Sequence, residues 1–162
     1  MPGSAASVVR IVGRGLSRAA GAGSAAAMSA SLTHEQARRV LDAGSARAEE
    51  IGQPTNIAVV DDGGHLVAFG RMDGAIKASI DISTRKAVTS ILMDLPTADL
   101  TDLVQPGAEL YGLGATAGGM VTFGGGIPPV RGGATVGAVG VSAGSVEQDV
   151  TVATAAAAAL DS

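Results

Sequence analysis

From residue 33 onward the apolar positions recur first at helical spacing, then in alternation, then at helical spacing again. Thr33 and Gln36 stand at capping-box spacing. The pattern predicts a helix from about His34 to Ile51 that buries Ala37, Val40, Leu41, Gly44, Ala48 and Ile51 and stops at Gly52 and Pro54. Ile57–Asp61 reads as a short buried strand, and Asp62-Gly63-Gly64 as a hairpin turn. His65–Arg71 alternates as a second strand would, and Met72-Asp73-Gly74 breaks it. Ala75–Met93 carries Ile76, Ile80, Val88, Ile91 and Leu92 at roughly helical spacing, with Pro96 beyond its end. A short helix over Thr97–Val104 and another helical turn over Ala108–Leu113 follow.

Beyond Gly114 the pattern changes to strands. Met120–Phe123, Ile127–Arg131 and Ala134–Ser142 are expected as three strands, separated by Gly124-Gly125-Gly126 and by Arg131-Gly132-Gly133. Pro128-Pro129 needs an exposed side or a bulge. Ser145 and Gln148 form a second capping-box pair, opening a helix that runs to about Leu160. The predicted order is α-β-β-α-α-β-β-β-α. Hairpins dominate it, so the class is α+β, with an antiparallel sheet covered by helices.

The first 30 residues follow a different rule. Val8, Val9, Ile11, Val12 and Leu16 share one arc of a helical wheel, and Arg10, Arg14 and Arg18 fall opposite. A helix this short is marginal alone and needs a partner. Four readings stay open: a start-site extension, a helix docking the body into a larger assembly, an organelle presequence, and a helix lying on an anionic membrane. The small-residue run from Ala19 to Ala30 reads as a flexible linker. The chain thus divides into a leader with its linker, residues 1–30, and a body, residues 31–162.

Charge sharpens that division. Residues 1–34 hold three arginines and no acid; subtracting that +3 from the net −4 leaves −7 for the rest. An acidic body with 2% aromatic residues offers little to nucleic acid, either as a cationic surface or as stacking platforms. No apolar run approaches the ~18 residues of a membrane span. The absence of cysteine excludes disulfides and thiolate chemistry.

Candidate chemistry is sparse. His34 stands at a helix start, and His65 follows a turn; two isolated histidines lack zinc-ligand spacing. The 124–126 glycine loop precedes a strand, so neither a dinucleotide fingerprint nor a P-loop applies, although its backbone amides, Gly125 and Gly126 among them, suit an anion. Arg71 and Asp73 fall between a strand end and a helix start, where Asp73 either caps the helix or, with Arg71 and Lys86, lines a small-ligand pocket against residues 124–129.

Several blocks together resemble the GlcG/HbpS family. They are NIAVVDDGGHLVAFGRMDGA, the helix around Arg85-Lys86-Ala87, QPGAELYGL, FGGGIPP and VGAVGVSAGSVEQDVTVA. The resemblance covers residues 31–160. It implies a profilin-like three-layer α/β/α fold with a five-stranded antiparallel sheet in the order 2-1-5-4-3. It also implies homo-oligomers. The family includes haem-binding proteins and the C-terminal domain of PduO-type cobalamin adenosyltransferases, whose adenosyl transfer belongs to another domain. Haem is therefore the cofactor to consider, with His65 as a candidate ligand and no metal site otherwise. The association of PduO-type proteins with bacterial microcompartments favours a cytoplasmic protein whose residues 8–18, through Val8, Val9, Val12 and Leu16, dock it to a protein shell or scaffold. The expected function is a small-molecule- or haem-binding oligomeric module. Two alternatives stand beside it. One is an enzyme acting on a small carboxylate or aldehyde, with Arg71 orienting and Lys86 serving as base or Schiff-base amine. The other is a structural or interaction protein.

Overall fold

The computed structural model describes residues 31–131 and 133–160; the leader and its amphipathic arc lie outside them. Helix α1 spans His34–Glu50, and its first turn carries the reciprocal Thr33–Gln36 box. Strands β1 (Asn56–Asp61) and β2 (Leu66–Arg71) form the expected hairpin. Helix α2 spans Ser79–Met93. Three short 3₁₀ turns follow, at Thr97–Leu100, Asp102–Val104 and Leu113–Ala115. Strands β3 (Gly126–Ile127), β4 (Val130–Arg131), β5 (Ala134–Thr135) and β6 (Gly137–Ser142) lead into α3, Val146–Ala158, capped by the Ser145–Gln148 box.

The α+β class and the antiparallel pairing are as expected, but the strand arrangement differs. A four-stranded sheet runs β2-β1-β6-β3, and β4-β5 form a separate two-stranded ribbon. Five strands in the order 2-1-5-4-3 are not what forms. Met120–Phe123 stays irregular because side chains take its backbone groups: the Val121 amide donates to Thr89 Oγ1, and the Thr122 carbonyl accepts from Thr101 Oγ1. The expected strand Ile127–Arg131 is divided at Pro128-Pro129, whose nitrogens donate to no ladder. Helix α2 also begins four residues later than the pattern suggests, after a turn in which the carbonyl of Ile76 accepts from Asn56 Nδ2.

The sheet separates two clusters. On one face Val59, Val139 and Val141 pack with Val40 of α1 and Val152, Ala153 and Ala156 of α3. On the other, Val60 and Ala138 pack with Ala87 of α2. Burial of these aliphatic side chains, at roughly 25 cal/mol per Å² of apolar surface, is the main favourable term. Gly140 sets how close α2 comes. A β-carbon there would run into the carbonyl of Ser83 and lie 2.5 Å from the Ala87 nitrogen. Helix α2 lies over β6 and β1, whereas α1 lies over β1 and β2.

Candidate functional site

Two groups of polar residues stand out, one closed and one open. The closed group centres on Lys86, which α2 points into the interior. It is fully buried, and two hydrogen-bond acceptors and an aromatic ring surround its ammonium. Nζ donates to Asp149 Oδ2 at 2.6 Å and to the Val141 carbonyl at 2.9 Å, and it lies 4.7 Å from the centre of the Phe123 ring. The Gly144 amide donates to the other carboxylate oxygen of Asp149 at 3.1 Å. Gly125 closes the cage with φ of 119°, and a β-carbon there would lie 2.7 Å from Nζ. The Gly126 amide donates to Thr97 Oγ1 at 2.9 Å. Burial pushes the Lys86 ammonium below its ordinary value and the Asp149 carboxyl above its own; their mutual hydrogen bond and attraction oppose both shifts without cancelling them.

This arrangement departs from the expected pocket. Lys86 does meet Gly125 and Gly126, but Arg71 and Asp73 do not join it. They sit exposed at and just beyond the end of β2, with β1 and β6 between that strand and β3. Nor does Asp73 cap α2, whose N-terminus has no side-chain cap. Lys86 ties α2 to β6 and α3 and, buried and paired, presents no free amine to solvent. Asp149 was not singled out from the sequence, where nothing local links it to Lys86, 63 residues away.

The open group is the β1–β2 turn. Asp61 Oδ1 accepts from the amides of Gly63 and His65, at 2.9 and 2.8 Å, and lies 3.1 Å from His65 Nδ1. Burial raises the Asp61 carboxyl, but the two amides and the neighbouring imidazole outweigh that and hold it below its ordinary value. The His65 side chain is 82% exposed. Its Nδ1 is anchored, and no hydrogen bond to Nε2 forms among the described residues. The next residue in the chain, Leu66, is 55% exposed, and Val88 and Ile91 of α2 lie beside Gly64 of the turn. His34 is exposed at the start of α1. A separate groove of about 230 Å³ is lined by Ala48, Glu49, Gly52, Gln53, Pro54 and Met72.

Comparison with known proteins places this fold. The family model described as "Haem degrading protein HbpS-like" matches residues 32–158. The chain belongs to the HbpS-like family. It is 46% identical over 121 residues to a Citrobacter freundii protein described as an uncharacterized 15.0 kDa protein in the dhaT-dhaS intergenic region, covering 74% of this chain and 85% of that one. It is 41% identical over 132 residues to the corrinoid adenosyltransferase PduO of the same organism, covering 81% of this chain but only 39% of PduO. Among solved structures, the PduOC:heme complex superposes with a TM-score of 0.76 at 38% identity, covering 80% of this chain and 94% of that one.

Haem is the group this HbpS-like membership raises. The groove at Met72 does not fit it, being smaller than the ~300–1,000 Å³ of ordinary ligand pockets. The His65 turn fits better. An imidazole anchored at one nitrogen by a carboxylate and open at the other is the arrangement of a metal-ligating histidine. No cluster of three His, Cys, Asp or Glu residues suited to a bare metal ion occurs among the described residues of this HbpS-like chain. No helix among them is long and apolar enough to cross a membrane.

Proposed function

We propose that this HbpS-like body is a homo-oligomeric haem-binding module and that His65 Nε2 is the iron ligand. The carrying observation is the exposed imidazole, anchored by Asp61 at Nδ1 and open at Nε2, in a chain similar to one solved as a haem complex. Asp61 acts as the positioning residue: it fixes the ring with Nε2 turned outward. Haem would supply redox and ligand-binding chemistry at the iron. Residues 8–18, with Val8, Val9, Val12 and Leu16 as the apolar arc, dock the module to a protein shell or scaffold, in keeping with a cytoplasmic protein held inside a bacterial microcompartment. The arginine-faced amphipathic pattern and the similarity to PduO support that second part.

The test is a haemin titration of the purified protein, followed by its Soret band. A saturable shift is expected for the native chain and for His34→Ala, and a lost or greatly weakened one for His65→Ala. A native chain without saturation overturns haem binding; a His65→Ala protein that binds as the native one does moves the ligand elsewhere. Residues 1–27 fused to an unrelated soluble reporter should carry it to the assembly in the native host, and Val12→Glu with Leu16→Glu should abolish the effect. A reporter that stays unbound overturns docking.

A further inference from the structure

The hairpin strand β2 has neighbours on too few sides. It is an edge of the four-stranded sheet, so its outer backbone groups face no strand among the described residues. Opposed residues of an antiparallel pair share a face. Val60 opposite Leu66, Ala58 opposite Phe69 and Asn56 opposite Arg71 therefore place Leu66, Phe69 and Arg71 on the α2 side. Helix α2, however, lies over β6 and β1 and leaves that side of β2 largely uncovered. Leu66 is 55% exposed and Ile76, reached from Asn56 by a hydrogen bond to its carbonyl, is 58% exposed; Phe69 is half-buried.

Natural edge strands carry charges, prolines or bulges that block pairing. Between Leu66 and Gly70 this one has no charge and no proline. Its single bulge, at Val67, lies near one end and leaves Ala68–Arg71 in regular register. An open ladder and an uncovered apolar face on one strand form a surface that is satisfied by another strand presenting the same features.

We propose that β2 is a self-association surface, occupied by β2 of a second copy of this chain in antiparallel register about a two-fold axis. The proposal names a surface for the homo-oligomer inferred above. Charge supports this occupant over an unrelated strand. The exposed Arg71 closes one end of β2, and the Asp61-Asp62 turn stands just before the other. Antiparallel pairing lays each Arg71 end along the partner's acidic turn, and the two-fold makes this twice, whereas a parallel register would bring like ends together. Leu66 and Phe69 of the two copies then extend one apolar face across the seam.

The experiment measures the solution mass of the full chain by analytical ultracentrifugation, with far-UV circular dichroism as the check on folding. Leu66→Lys, at a half-exposed site, and Leu66→Lys with Phe69→Lys are expected to lower the mass at least two-fold. Leu66→Cys chains mixed with Phe69→Cys chains, in a background with no other cysteine, are expected to link across the seam on mild oxidation, and Tyr111→Cys chains are not. Should the double variant misfold, Leu66→Lys and the cysteine pair decide. A native assembly that survives Leu66→Lys and forms no link between the two cysteines overturns this surface and leaves the oligomer standing. A monomeric native chain overturns both. Haemin titration of Phe69→Lys, which lies in mid-strand away from the His65 turn, separates the two readings, since lost assembly with an unchanged Soret response leaves haem binding intact.

Discussion

Removing the Lys86 side chain's charge tests the closed site. In Lys86→Met the thioether fills much of the same space, but Asp149, only 4% exposed, loses its 2.6 Å partner. It keeps hydrogen bonds from backbone amides such as that of Gly144, which do not balance its charge. A buried charge stranded in this way costs about 3–5 kcal/mol. For a body of this size each kcal/mol moves the melting temperature by roughly 3–5 °C, so the variant should melt about 10–20 °C lower. Asp149→Leu should cost a similar amount, because it leaves the ammonium with only the Val141 carbonyl and the Phe123 ring. The double variant Lys86→Met/Asp149→Leu removes both charges and should return to within about 1–2 kcal/mol of the native chain, or exceed it. Urea unfolding followed by circular dichroism measures all four proteins, since a chain with no Trp gives a weak fluorescence signal. Singles that lose less than about 1 kcal/mol, or a double that loses the sum of the singles, would refute the reasoning.

The same pair sets a pH dependence. The folded Lys86 value lies below its unfolded value, so the unfolded chain holds the extra proton between the two; relative to the double variant, native stability should rise as pH climbs through that window towards 10.5. Asp149 is raised on folding, so its contribution is full below its unfolded value and falls as pH rises through its folded value; urea midpoints of both proteins across pH 4–10 check both slopes. Gly140→Ala should destabilise by about 3 kcal/mol or more, because its β-carbon meets backbone of α2 that cannot rotate away, and thermal melts read this directly. Asp61→Asn should weaken haemin binding about tenfold while leaving the fold intact, as loss of an orienting partner does; unchanged affinity would remove Asp61 from the site.

Local signals were legible where the chemistry is local. Both capping boxes formed where Thr33–Gln36 and Ser145–Gln148 stood in the sequence, and the β1–β2 hairpin turned at its Asp-Gly-Gly. His65 could be picked out because it follows that turn, but its anchoring by Asp61 depends on a carboxylate that also gathers two backbone amides. What escaped was decided at long range. Met120–Phe123 has the composition of a strand, yet Thr89 and Thr101, 32 and 21 residues from their partners, claim its backbone. Arg71, Asp73 and Lys86 are near one another in sequence, and the sheet separates them. The true partner of Lys86 lies 63 residues away, on α3.

The burial of Lys86 has a use in the laboratory. The chain has two lysines, and Lys77 is exposed whereas Lys86 is enclosed. Under native conditions an amine-reactive dye should therefore mark Lys77 and the chain's amino terminus and spare Lys86. Appearance of label on Lys86, read by peptide mass, then times the opening of the cage held by α2, β6 and α3. If that opening requires global unfolding, the label should appear at the global unfolding rate. A faster rate would mean that the loop bearing Phe123 and Gly125 lifts while the rest of the fold persists.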